Sequence, residues 1–193
     1  MARPKSEEAR QAALEATVEL LVESGVDSVT FEEVAVRSGV AKTTLYRHFG
    51  TKAAMVVTAA ESCFVPLPTP DTGDLETDLR LIFDSWKATD EAHRVPDLMP
   101  TLLAASDRDP DLHALLILMI EDRSRPIRTV LQLAQHRGQI DPDLDLDLAL
   151  ALLKGPFVQR RMVDRREVTD EFRDGVLRNV VAGLLATGPR ATA

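Results

Sequence analysis

The stretch from Thr30 to Lys52 constrains the fold more than any other part of the chain, because it is punctuated too closely for anything but short helices joined by a tight turn. Thr30 and Glu33 have the spacing of a capping box, and Val29 and Val34 flank the cap at the spacing of a hydrophobic staple. The helix so begun runs from about Phe31 to Arg37, and Ser38-Gly39 breaks it. A further helix runs from Ala41 or Lys42 to His48 and stops at Gly50, and Thr51 caps another that carries on to about Phe64. Ala35 lies four residues before Gly39 and Leu45 six after it. A small residue suits the closest approach of two helices, glycine suits the sharp turn, and an apolar residue pins the second helix to a core. Short helices crossing at such a turn describe a helix-turn-helix.

The last helix of this motif is legible by angle. At roughly 100° per residue, Leu45 and Phe49 fall together and face the core. Thr43 and Arg47 point away from it, with Lys42 and Tyr46 on one flank and Thr44 and His48 on the other. That pattern suits a helix in a DNA major groove, its central pair on base edges and its flanks toward the phosphate walls. Arg47 has the fork to pair with guanine, and the Thr43 methyl suits thymine. Thr30 and Lys52 stand at helix starts, where free amides also favour phosphate. A solvated surface helix is the plainer alternative, but it explains neither the turn nor the local charge.

Charge is the second constraint. The chain has 193 residues and a net charge of −8, unfavourable overall for a partner made of phosphates. Between Val34 and Ala60, however, stand Arg37, Lys42, Arg47 and Lys52 and no acid at all. The acids gather in 71–84, 107–111 and 141–147. Distribution decides more than the sum, and here it is a basic patch on an acidic body.

The rest reads as helix. An opening helix starts at Ser6 with Glu7 and Glu8 and stops at Gly25. Pro66, Pro68 and Pro70 with Gly73 mark a domain boundary, so that residues 1–52 are expected to form the helix-turn-helix domain, 51–65 a connecting helix, and 66–193 a second domain. Helices are expected there over 74–89, 96–106, 110–136, 143–163 and 169–186, with Pro126 and Pro156 kinking or splitting two of them, and with fraying beyond Gly188. Aromatic residues make up only 4%, so the core is built mainly from Leu, Val and Ala. With no apolar leader behind Met1, no membrane-spanning run and a single cysteine, Cys63, a cytoplasmic protein is expected.

The run TFEEVAVRSGVAKTTLYRHFGTK, Thr30 to Lys52, resembles the DNA-binding signature of the TetR family of repressors. The segment RGQIDPDLDLDLALALLKGPFVQRR, with its break at Gly155-Pro156, resembles the next-to-last helix region of one subgroup. The resemblance implies an all-α fold of about nine helices: an N-terminal three-helix helix-turn-helix domain plus a C-terminal helical bundle for ligand binding and dimerisation. It implies a homodimer on a palindromic, double-stranded DNA operator, released by a small-molecule effector, with no cofactor and no membrane partner. DNA contacts then fall on Thr30, Lys42, Thr43, Thr44, Tyr46, Arg47, His48 and Lys52, with Tyr46, His48 and Lys52 toward phosphate.

Two further surfaces can be read. In the last helix Phe172, Val176, Val180 and Leu184 form one apolar ladder, and Leu177, Val181 and Leu185 a second beside it. Leu146, Leu150, Leu153 and Phe157 form a similar stripe on the helix before. A stripe this wide exceeds what one core needs, so a four-helix dimer interface is expected, with Gly175 and Gly183 allowing close approach. Phe83, Trp86, Met99, Met119 and Phe157 are candidates either for an effector pocket or for ordinary core.

Other signals carry less. Asp141, Asp143 and Asp145 alternate like a calcium loop, yet Leu146 and Leu152 stand where that loop needs its glycine and its bidentate acid, so a capping turn is expected instead. His48, His93, His113 and His136 lack zinc spacing, and no metal site is expected. Arg160, Arg161, Arg165 and Arg166 read as a solvated helix end. No catalytic constellation appears, so an enzyme with an incidental helix-turn-helix is disfavoured. A DNA-binding structural protein without a ligand is disfavoured by a second domain larger than dimerisation requires.

Overall fold

The computed structural model describes residues 3–93 and 95–186, with side chains over 6–86 and 98–186. The side chain of His93 and the tail beyond Gly188 lie outside the described residues. Among the described residues there is no strand. The helices are α1 (Arg3–Ser24), α2 (Phe31–Ser38), α3 (Lys42–Phe49), α4 (Lys52–Ser62), α5 (Leu75–His93), α6 (Val95–Ser106), α7 (Pro110–His136), α8 (Leu146–Val158) and α9 (Asp170–Ala186). The all-helical expectation holds, and most boundaries lie within a turn of those read from the sequence.

The chain divides into two compact units, the first comprising residues to 64 together with 92–120, the second 65–91 and 121 onward. This differs from a single body beginning at residue 66. Leu98, Leu102, Leu112, Leu116 and Met119, from α6 and the start of α7, share the core of α1–α4. An apolar stripe on a helix shows that a partner exists but not which one, so this assignment could not be read from the sequence.

In the first unit Leu14, Leu21, Leu45 and Met55 are fully buried. Thr17, also buried, returns its hydroxyl to the Ala13 carbonyl at 2.7 Å and so leaves no orphan donor. The opening helix starts at Arg3 rather than at Ser6. Pro4 occupies a first-turn position, where its missing N–H costs nothing, and Ser6 is therefore a helical residue and not a cap. Gly25, at φ 78°, closes α1, and a 3-10 turn over Val26–Ser28, absent from the sequence reading, follows it.

The second unit is built around Leu79, Ile82, Phe83, Ile127, Leu131, Leu153 and Leu177. Its aromatic rings form a chain: Phe83 stacks on Phe157 with centroids 4.6 Å apart, Trp86 meets Phe83 edge-on at 5.2 Å, and Phe172 meets Phe157 edge-on at 5.9 Å. The aspartates before α8 are a turn and a cap, as expected. Asp141 accepts from the Asp143 N–H at 2.8 Å, and Asp145 accepts from those of Asp147 and Leu148 at 2.8 and 3.4 Å. Gln135 donates to the carbonyls of Asp141, Pro142 and Leu144, closing the same loop. Helix α7 runs through Pro126 without a split. Pro156 also leaves α8 intact, but five residues in π register, Gln159–Val163, follow it. Pro156 has no N–H to offer the preceding turn, and the wider register restores backbone pairing beyond it, with the Asp164 N–H on the Gln159 carbonyl at 3.0 Å.

Because Leu45 is wholly buried where α3 meets the first core, Leu45→Ala is expected to lower stability by about 2–5 kcal/mol. Denaturant unfolding of the variant beside the parent checks this; a loss under about 1 kcal/mol would show that α3 is not held by that side chain.

Candidate nucleic-acid interface

The turn between α2 and α3 is defined atom by atom. The Thr30 hydroxyl accepts from the Glu33 N–H at 3.1 Å, capping α2. Val29 and Val34, the expected staple, are both fully buried. Gly39 ends α2 at φ 71° and ψ 6°, its N–H on the Ala35 carbonyl at 3.0 Å. Ser38 ties the corner, donating to the Val34 carbonyl at 2.6 Å and accepting from the Val40 N–H at 3.2 Å. Helix α3 starts without a side-chain cap and ends at Gly50, φ 72°, whose N–H meets the Tyr46 carbonyl at 2.9 Å.

Leu45 and Phe49 turn inward, as the helical angle requires. Lys42, Thr43, Tyr46 and Arg47 are exposed, while Thr44 and His48 are half-buried. The Tyr46 ring lies on Phe31, centroids 3.9 Å apart and planes 23° from parallel, so one ring face is spent on packing α2 against α3. His48 Nε2 is 3.4 Å from the Ser6 hydroxyl, joining the opening turns of α1 to the end of α3. Lys52 begins α4 with its ammonium 3.5 Å from the Asp27 carbonyl.

The cations are not equivalent, and this the acid-free window concealed. Arg37 pairs with Glu23 at 2.7 Å and Glu19 at 3.5 Å, both on α1. The Glu23 hydrogen bond raises the Arg37 pKa further above its already high ordinary value. Lys42 pairs with Glu32 of α2 at 2.5 Å. Hydrogen bonding within that pair holds the Glu32 carboxyl below the usual range and lifts the Lys42 ammonium above its own, so both stay charged near neutrality. Among the described residues no acid pairs with Arg47 or Lys52. Glu19 and Glu23, one helical turn apart on α1, were the available signal, but nothing local connected them to α2. Val36, passed over in the sequence, is 82% exposed on the outer side of α2.

Comparisons with known proteins give this geometry its context. Residues 13–59 match the model of the bacterial regulatory proteins of the tetR family, and residues 69–180 that of the tetracyclin repressor-like C-terminal domain. The chain belongs to the TetR family. It is 28% identical over 187 residues to the uncharacterized HTH-type transcriptional regulator YdeS of Bacillus subtilis strain 168, covering 96% of this chain and 94% of that protein. To the DNA-binding transcriptional repressor TetR of Mycobacteroides abscessus it is 27% identical, over 95% of this chain and 97% of the other. The crystal structure of the TetR family transcription regulator SCO0332 superposes with a TM-score of 0.69 at 30% identity, covering 91% of this chain and 98% of that one. The protein is therefore an HTH-type transcriptional regulator that binds DNA, in a family of regulators and not of enzymes. Among the described residues no helix is long and apolar enough to cross a membrane.

The other candidate surfaces of this TetR-family chain fare unevenly. Phe83, Trp86 and Phe157 come together in the aromatic chain of the second unit. Met99 and Met119 belong instead to the core of the first. Leu150, Leu153, Leu177, Val181 and Leu184 are buried in their own subunit's core, and Leu146, Val176 and Val180 pack against it. The double ladder of α9 is thus largely used inside the subunit, contrary to the expectation that one ladder would suffice. A helix held between α5 and α8 has two faces to cover, which doubles the apolar width it needs. What α8 and α9 leave exposed is Leu148, Leu152, Val158 and Leu185.

A Cβ at Gly39 would meet nothing within 4 Å, so only its left-handed backbone resists substitution. Gly39→Ala is accordingly expected to cost about 1–2 kcal/mol, and Gly39→Asn less, because asparagine tolerates that conformation. Thermal unfolding of the two variants checks the order; equal cost would point to a clash rather than to φ.

Proposed function

We propose that the protein represses transcription as a homodimer and leaves its operator when a small molecule occupies the second domain, taken as 66–193. The observation that carries the DNA half is Arg47, exposed beside Thr43 at the centre of the outer face of α3 and free of any acid among the described residues. Arg47 and Thr43 read bases. Thr30, Lys42, Thr44, Tyr46, His48 and Lys52 hold the backbone on either side. An exposed pair such as Lys42–Glu32 contributes little in water, so Lys42 exchanges its carboxylate for a phosphate at small cost. The Tyr46 ring is already ordered by Phe31, which leaves its hydroxyl presented at little further entropic loss.

The repressor role and the effector are supported by the match of residues 69–180 to a tetracyclin repressor-like domain. Phe83, Trp86 and Phe157 supply the aromatic wall of the effector site. In a dimer the two α3 helices enter successive major grooves about 34–36 Å apart, and the effector shifts the balance of dimer shapes by its difference in affinity for them. Arg47→Ala is expected to cost about 1–3 kcal/mol of operator affinity and to relax specificity at one base pair per half-site. Lys52→Ala is expected to weaken binding evenly across sequences and to flatten its salt dependence. Titration of selected and scrambled duplexes at several salt concentrations decides this, and two unaltered affinities would refute the assignment.

The dimer rests on the residues left outside the core. Leu148, Leu152 and Gly155 run along one line of α8, and Leu185 and Gly183 are exposed on α9. Gly155 and Gly183 have open space in front of them, room for a helix of a second copy. Leu152→Glu places a charge in this patch without entering the subunit's own core, which Val181→Glu would do. Sedimentation is expected to show monomers at micromolar concentration. Operator binding falls by orders of magnitude, because the second half-site no longer arrives at high effective concentration. A variant that stays dimeric places the interface elsewhere.

A further inference from the structure

The second unit carries a half-buried positive charge, Lys154, for which its described residues provide no acid. Lys154 lies on α8, one turn before Phe157, and donates its ammonium to the Ser124 hydroxyl of α7 at 2.7 Å. Ser124 itself is only 8% exposed. Elsewhere in this unit Arg80 pairs with Asp174, Arg128 with Asp147, Arg137 with Asp71 and Arg173 with Asp84. Among the described residues no carboxylate comes within ion-pair distance of Lys154. The charge that acts on it is a second cation, Arg123, one residue before Ser124 on α7. Burial first, then Arg123, press the ammonium below the usual lysine range.

Such an arrangement is costly for the folded chain alone. A cation partly withdrawn from water loses hydration that a counter-charge or further acceptors would replace, and one hydroxyl beside a like charge replaces little of it. A methionine would fill the same volume without that penalty. An anion entering from solution removes both costs together, since it answers the ammonium and screens it from Arg123. The surroundings choose among anions. Phe157, on the next turn of α8, stands in the ring chain between Phe83 and Phe172, a setting that suits an apolar body carrying one charge better than a compact, strongly hydrated dianion.

We propose that Lys154, with Ser124 and Arg123 beside it, binds the carboxylate of a small organic acid with an apolar or aromatic body, and that this acid is the effector. The proposal rests on the ligand-released reading above and names the chemistry of its ligand.

The test uses the full chain. Benzoate, phenylacetate, hexanoate and octanoate are titrated calorimetrically against the wild type, alongside the matching uncharged amides and inorganic phosphate. The same titrations are run on Lys154→Met and Ser124→Ala, whose unfolding transitions are recorded to show that they fold. At least one acid is expected to bind the wild type, with its amide at least tenfold weaker. Lys154→Met is expected to bind that acid about tenfold to a hundredfold more weakly, as loss of a hydrogen bond to a charged group requires, and to unfold no earlier than the wild type. Ser124→Ala is expected to bind it more weakly by a smaller factor. If no acid binds, if acid and amide bind alike, if only phosphate binds, or if folded Lys154→Met binds the acid as well as the wild type, the proposal is overturned. Operator titration with the same compounds separates the two readings. An acid that binds through Lys154 yet leaves operator affinity unchanged keeps the anion site and removes its effector role. Release by an uncharged amide, with no acid bound, keeps release and removes the anion site.

Discussion

The DNA-binding face depends on a single geometric bargain at the α2–α3 corner. Gly39 takes a left-handed conformation at φ 71°, and the chain reverses there sharply enough for Leu45 to reach the core that Val34 and Leu14 already occupy. Once Leu45 and Phe49 are buried, helical geometry leaves no freedom for the opposite side. Thr43 and Arg47 must point outward. The Phe31–Tyr46 stack then fixes the rotation of α3 on α2 from the flank, so the outward residues of a helix of only two turns are held on a packed frame. Without the turn, neither the burial nor the presentation follows.

What could be read in advance was what is local. The Thr30 cap, the Val29–Val34 staple, the Gly39 and Gly50 stops and the inward pair on α3 are all set by neighbours within one or two turns, and each is found where its spacing put it. The aspartate turn before α8 was legible for the same reason. What failed was the identity of distant partners. Nothing near Arg37 announces that Glu19 and Glu23 face it, and nothing in α6 says that Leu98 and Leu102 pack with the N-terminal helices rather than with α5. The apolar width of α9 was legible in the sequence, but how much of it the subunit's own core takes up was not. Leu177, Val181 and Leu184 are buried against helices of their own subunit, and only the contact pattern distinguishes a helix enclosed on two sides from one that keeps a side for a partner.

The electrostatics show the same split between count and arrangement. A basic window holding Arg37, Lys42, Arg47 and Lys52 gives up Arg37 to α1 and lends Lys42 to Glu32. Two cations without acid partners then remain on a chain with 31 acidic and 23 basic residues. Such a chain has weak general attraction for DNA, because non-specific affinity grows with the number of phosphates neutralised. On the proposed reading, its binding relies all the more on contacts that need the right register: a fork on a base edge, a ring already seated, a helix start facing a phosphate. The Lys42–Glu32 pair would add a small threshold of its own, since on that reading the lysine leaves its carboxylate only where a phosphate replaces it.

The contrast between Lys42 and Lys154 follows from where each charge is kept. At the surface Lys42 has an acid, water and an easy exchange, so its pairing is a reversible arrangement of little energy. In the second unit Lys154 is half-buried, with a hydroxyl and a neighbouring cation beside it, so each missing interaction weighs more than it does at Lys42. A fold carries such a group at a standing cost to its stability. Hydrophobic packing around Leu153 and Phe157 is ample to bear it, since both are buried in the core that α5, the second half of α7, α8 and α9 share. On the proposed reading the charge is retained for an oppositely charged ligand, which would turn that cost into selectivity.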